Sequence, residues 1–212
     1  FRTHRRSLEK AGIGSRSREL TQLSARLARS AAEGTNVRVA GSVSPLEDCY
    51  GPEKSPADAG EEFVEIAENL IAGGCDLLII ETMGSLPEFR SAVDAAKNLG
   101  VEFWASVCPK DESTMLGGDP IAEALKVASD DGASAFLLNC ATPIVLERAA
   151  SAICKPSSFP IGIYANIIDE SISPRDFAAH AQIAKKIGVE ILGGCCGTTP
   201  EHIKAAVERL SE

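Results

Sequence analysis

The sequence has 212 residues, 44% of them hydrophobic and 24% charged, which is enough apolar material to bury a core as one domain over residues 1–212 and too much for a disordered chain. A net charge of −9 argues against a nucleic-acid surface spread over the whole domain. Apolar runs such as LLII at 77–80 fall far short of the roughly 20 residues of a membrane span, and FRTHRRSLEK at the N-terminus lacks the apolar centre of a signal peptide, so a soluble protein is expected.

Residues 1–38 hold nine Lys or Arg against three Glu. A basic arm is one reading of this segment. The interleaving of the arginines with Leu20, Leu23, Ala25 and Leu27 favours the solvated face of a leading helix at about residues 15–34. From there, short apolar or β-branched runs alternate with amphipathic segments. Strands are predicted at 37–42, 76–81, 101–107, 134–140, 160–166 and 189–194. Cap-plus-proline signals at Ser55-Pro56, Asp119-Pro120, Ser173-Pro174 and Thr199-Pro200 predict helix starts, each followed by apolar residues at helical spacing.

Apolar strands joined by helices are parallel and covered on both faces, which leaves a doubly wound sheet or a (β/α)8 barrel. Strand starts recur about every 30 residues, so eight units need about 240 residues plus termini. If the fold is a barrel, the first two strands are missing and strands 3 to 8 are present. No low-complexity linker divides the chain.

In parallel α/β folds chemistry gathers at the carboxyl ends of the strands. Those ends carry Ser42 and Ser44, Glu81-Thr82, Cys108, Asn139-Cys140, Asn166, and Gly193-Gly194-Cys195-Cys196. Adjacent cysteines form a disulfide only through a strained ring, whereas both sulfurs reach one soft metal if the backbone turns sharply, and glycines flank the pair. Cys140 lies on a strand two places away, and alternate strands of a barrel feed one interior layer. Three sulfurs and an open position describe a catalytic zinc site; buried, chemically idle cysteines are the competing reading. Seven cysteines without a signal peptide point to a reducing, cytoplasmic setting. Cys49, Cys75 and Cys154 read as structural, Cys108 is the rival ligand, and His202 reads as a surface or capping residue. Glu81 closes an otherwise apolar strand, where an ionised carboxylate has to be paired, hydrated or functional. Asn166 reads equally as a site residue or as a structural bond to a neighbouring loop.

The stretch GGCCGTTPEHI at 193–203 resembles the homocysteine S-methyltransferase family of zinc-dependent (β/α)8 enzymes, whose members use betaine, S-methylmethionine or methylfolate. The likeness extends through VAGSVSP (39–45), LLIIET (77–82), WASVCPKDESTMLGGDP (104–120) and LLNCATP (137–143). The resemblance implies zinc on Cys140, Cys195 and Cys196, with homocysteine's thiol in the open position. By the same resemblance Glu81 holds the substrate amino group and Asn166 lies near the amino-acid site. A metal-bound thiol loses its proton near neutral pH and displaces a methyl group from an onium-type or folate donor, giving methionine.

Two features depart from the family. Its acidic, glycine-rich opening strand has no counterpart here, and FRTHRRSLEKAGI matches the region just after the second strand. Ile167 and Ile168 stand where small residues are usual, which bears on the shape of the pocket. A phosphate site at Thr199, as in an aldolase or isomerase, is the alternative enzyme reading. A non-catalytic zinc-binding fragment is the other, and self-association through the open barrel edges is expected.

Overall fold

The computed structural model describes residues 1–56, 58–154, 157, 159–168 and 171–211. Its strands are β1 (Ala40–Val43), β2 (Leu77–Met83), β3 (Phe103–Val107), β4 (Ala135–Asn139), β5 (Ile161–Ala165) and β6 (Ile191–Gly194). Its helices are α1 (Arg5–Glu9), α2 (Ser17–Ala31), α3 (Gly60–Ala72), α4 (Leu86–Leu99), α5 (Ile121–Asp130), α6 (Pro143–Cys154), α7 (Pro174–Ile187) and α8 (Pro200–Ser211). The strands form one parallel sheet in the order β1-β2-β3-β4-β5-β6.

That order decides between the two architectures. A doubly wound sheet reverses direction at a switch point and carries helices on both faces. Here every strand pairs with its sequence neighbour, and all helices from α3 onward pack on the same face. Leu78, Ile80, Phe103, Ala105, Val107, Phe136, Leu138, Ile161 and Ile163 point to that face and join residues of those helices in one buried cluster. The alternate residues line the other, concave face, which is the interior of a barrel. The fold is therefore an incomplete (β/α)8 barrel, with β1 and β6 each paired on one side only among the described residues.

Leu137, Gly162 and Ile191 lie side by side on the concave face, on β4, β5 and β6. A Cβ on Gly162 would overlap Leu137 and stand 2.8 Å from Ile191 Cβ and 3.0 Å from its carbonyl oxygen. Gly162→Ala should therefore cost about 1–3 kcal/mol, read as a lower urea midpoint with an unchanged slope.

Ser173 caps α7 as expected, accepting from Asp176 N–H at 3.3 Å, with Pro174 at the first helical position. Two other start signals serve different ends. α3 begins at Gly60, and Ser55 instead donates its hydroxyl to Glu88 at 2.6 Å. Asp119 accepts from the Leu86 N–H at 2.7 Å, so it caps α4 from a neighbouring loop rather than the helix that follows it. The basic N-terminal segment is no free arm. Arg5, Arg6, Arg29 and Arg38 pair with Glu65, Glu62, Asp76 and Glu102 at 2.5–2.7 Å, and Lys10 pairs with Glu47.

Candidate metal centre

Cys195 and Cys196 leave β6 in a tight turn in which the Thr198 N–H donates to the Cys195 carbonyl at 3.2 Å. Gly197 stands at the third position of that turn with φ +81°, a conformation that strongly favours glycine. Space requires glycine as well: a Cβ there would lie 2.8–3.1 Å from the backbone of Ile167 and Ile168, which cannot yield. Backbone bonds from Cys195 N–H to Ala165 O and from Ile167 N–H to Cys196 O, both 2.8 Å, lock the turn to the end of β5.

Cys140 follows β4 with φ +58°, and its N–H bonds the Tyr164 carbonyl. That unusual backbone turns its sulfur toward the pair. The Cys140 sulfur lies 3.3 Å from that of Cys195 and 3.9 Å from that of Cys196, and the adjacent pair are 3.9 Å apart. All three thiols are free. Three thiolates at about 2.3 Å from a tetrahedral zinc stand about 3.8 Å apart, so the triangle has the size that ion requires.

Charge leads to the same place. The Cys140 thiol is drawn down to about 6 by the hydrogen bond from Cys195, with Tyr50 and Cys196 contributing and burial opposing. The same bond, together with burial, pushes Cys195 up. Burial and the neighbouring Cys140 charge raise Cys196. The metal-free cluster therefore favours one thiolate, and three ionised sulfurs this close together need a cation between them. A soft, sulfur-only donor set of this kind would suit zinc, which takes four ligands, one more than the three cysteines would supply.

Cys108 is buried, its thiol raised by burial, and it stands outside the triangle, so it is no rival ligand in this arrangement. Cys49, Cys75 and Cys154 are likewise raised by burial and lie outside it. His202 is buried rather than on the surface, and it caps α8: its Nδ1 accepts the Thr199 N–H at 3.1 Å, while Nε2 donates to Ile172 O at 2.9 Å. Glu201 adds a carboxylate, bonded by the Thr199 hydroxyl at 2.6 Å. The α8 N-terminus is thus filled by its own groups, one of them anionic, which removes the support for a phosphate site.

Glu81, half-buried on the concave face of β2, accepts the Tyr164 hydroxyl at 3.1 Å. Its charge reaches Cys140, opposing ionisation of that thiol. Asn166 donates to the Tyr50 hydroxyl and accepts from the Ile168 N–H, both at 3.1 Å. Ile167 is buried in the core, and Ile168 is 64% exposed beside Gly197, so only the second of the two isoleucines has a side chain free toward solvent. Ser44 is turned away to the carbonyl of Phe1. Ser42 keeps a buried, unpartnered hydroxyl that lines a separate cavity of about 120 Å3 beside α2.

Sequence reasoning passed over two residues, Tyr50 and Tyr164, and placed a third, Asn139, at its strand end without giving it a role. Tyr50, in the loop after β1, brings its hydroxyl to 3.1 Å from the Cys140 sulfur. Tyr164 supports Glu81 from the next strand but two. Asn139, wholly buried, bonds Thr82 and Ser106 and so ties the ends of β2, β3 and β4 together.

Residues 1–210 match the homocysteine S-methyltransferase family. The chain belongs to that family. It is 30% identical over 156 residues to homocysteine S-methyltransferase 2 of Arabidopsis thaliana, covering 66% of this chain and 47% of that protein. It is 27% identical over 172 residues to methionine synthase of Mycobacterium leprae, covering 72% of this chain and 14% of that one. In fold it resembles the metallated form of the homocysteine methyltransferase MmuM from Escherichia coli, with a TM-score of 0.86 at 23% identity, covering 99% of this chain and 77% of that one. The homocysteine S-methyltransferase family thus accounts for nearly the whole chain, while the chain spans about half the length of the Arabidopsis relative.

Proposed function

We propose that residues 1–212 form the homocysteine-binding barrel domain of a zinc-dependent methyltransferase that moves a methyl group from an onium-type or folate donor to the thiol of homocysteine, giving methionine. The observation that carries this reading is the sulfur triangle of Cys140, Cys195 and Cys196, with edges of 3.3–3.9 Å, in a chain of this family. When bound, zinc would supply a Lewis acid that lowers the pKa of a thiol in its open position.

The three cysteines hold the ion. The Gly197 turn and the left-handed backbone of Cys140 keep their sulfurs converged. Glu81, presenting a carboxylate from the concave face within reach of the same centre, binds the substrate's ammonium group. Tyr164 fixes one carboxylate oxygen and leaves the other for that contact. Asn166 stands over the site from the next loop, where it borders the amino-acid pocket. No helix of the described residues is long and apolar enough to cross a membrane, and the free thiols suit a reducing, cytoplasmic setting. Besides the two substrates, a second copy of the chain is a partner through the half-paired edges of β1 and β6.

The assignment of Glu81 has its own test. Glu81→Ala should raise the KM for homocysteine about 10- to 100-fold, the value of a charged hydrogen bond, with zinc stoichiometry unchanged. Steady-state kinetics beside metal analysis reads both. Loss of the metal would instead make Glu81 a support of the centre rather than a substrate contact.

A further inference from the structure

We propose that Tyr50 is a positioning residue of the metal centre, its hydroxyl donating to the Cys140 sulfur and set there by Asn166 and by a loop that Glu88 clamps at both ends. The inference rests on the metal-centre reading above and adds to it a residue outside the sulfur triangle.

The phenol has one proton to give. Asn166 Nδ2 donates to the Tyr50 oxygen at 3.1 Å, which occupies a lone pair and directs the hydroxyl proton elsewhere. Two acceptors are in range, the Cys140 sulfur at 3.1 Å and the Cys140 carbonyl at 3.4 Å. Sulfur takes longer hydrogen bonds than oxygen, so the first distance is the good one and the second is marginal. An ionised sulfur is also the stronger acceptor.

The loop that carries Tyr50 is built to hold this position. Glu88, on α4 and 2% exposed, accepts the Leu46 N–H at 3.0 Å with one oxygen and the Ser55 hydroxyl at 2.6 Å with the other. One buried carboxylate therefore closes a loop of about ten residues at its two ends. Within it Asp48 accepts the Tyr50 N–H at 3.1 Å, and the Gly51 N–H bonds Asp48 O at 2.9 Å. Such an ordered loop is more than the seating of a side chain 53% exposed would require, and the contact it delivers falls on a metal-ligand sulfur. A donor to one thiolate lowers the electron density that sulfur gives the metal. The other two are left unchanged, and the metal becomes more attractive to an incoming thiol.

The test is Tyr50→Phe, which keeps the ring and removes the hydroxyl, in the reduced protein loaded with cobalt(II) in place of zinc. The expected result is a red shift of the sulfur-to-cobalt charge-transfer band at full metal occupancy, because a sulfur without its donor lies higher in energy. The melting temperature should not move. A band at the parental wavelength overturns the proposal. If the parental protein takes up no cobalt, the metal reading itself fails, and the phenol contact is then judged on metal-free protein by alkylating with iodoacetamide at a pH where Cys140 is ionised in both proteins, and mapping Cys140 by mass. Faster modification in Tyr50→Phe, by about threefold or more, supports the contact, and an equal rate overturns it.

Discussion

Cys196→Ser should abolish stoichiometric zinc binding and, with it, methyl transfer. The serine hydroxyl fits the space but does not ionise near neutral pH, so the site would keep two thiolates and exchange the third for a neutral hydroxyl, a far weaker ligand for a soft-bound ion. Cys196 is the informative member of the trio because it is the exposed one, so replacing it leaves the core packing untouched. The fold should survive, with circular dichroism and the melting transition of the metal-free protein unchanged. Metal analysis on reduced protein and a homocysteine methylation assay read the two losses. A variant that keeps one zinc per chain, or keeps turnover without it, would refute the sulfur-centre reading.

The parts of this molecule legible in the sequence are those written in local pattern. The six strands fall within a few residues of the apolar runs that predict them, because parallel strands are apolar on the face that helices cover and largely apolar on the barrel interior as well. The Cys195-Cys196 pair was legible because two sulfurs flanked by glycine in one short stretch leave few structural explanations. Cys140 followed from the alternation of layers in a barrel, which spacing alone left open against a doubly wound sheet. Tyr50 was not legible: its partner lies 90 positions away, and a single aromatic in a polar loop carries no periodic signal. Asp119 and Ser55 misled for a related reason. Each has the right type and place to cap the next helix, yet a nearer unpaired group in space, the α4 N-terminus or the Glu88 carboxylate, takes the bond. Sequence pattern ranks local partners and is blind to those the barrel brings from other loops.

Asn139→Ala should cost about 3–5 kcal/mol of stability and release the metal centre as well. Asn139 is fully buried, and its amide is shared among three groups. Its oxygen accepts the Thr82 N–H at 3.0 Å and the Ser106 hydroxyl at 2.7 Å, and its nitrogen donates to the Thr82 hydroxyl at 2.8 Å. Removing it strands three polar groups on residues at most 1% exposed, at about 1–3 kcal/mol for each group that cannot find water. Thr82 holds φ +62°, a strained state for a β-branched residue, at the irregularity where β2 loses register with β3 just beyond Glu81. The amide bonds hold that strain in place. Without them Thr82 should relax toward ordinary extended backbone and carry Glu81 with it, while Cys140, next in sequence to Asn139, loses its own left-handed turn. Thr82→Gly removes the strain at its source, so the double variant should be less destabilised than the sum of the two singles, by about 1 kcal/mol or more. Urea unfolding of the four proteins measures the coupling, and zinc content of the folded Asn139→Ala variant measures the effect on the centre. Additive losses with zinc retained would mean that the network only packs the sheet and has no part in shaping the site.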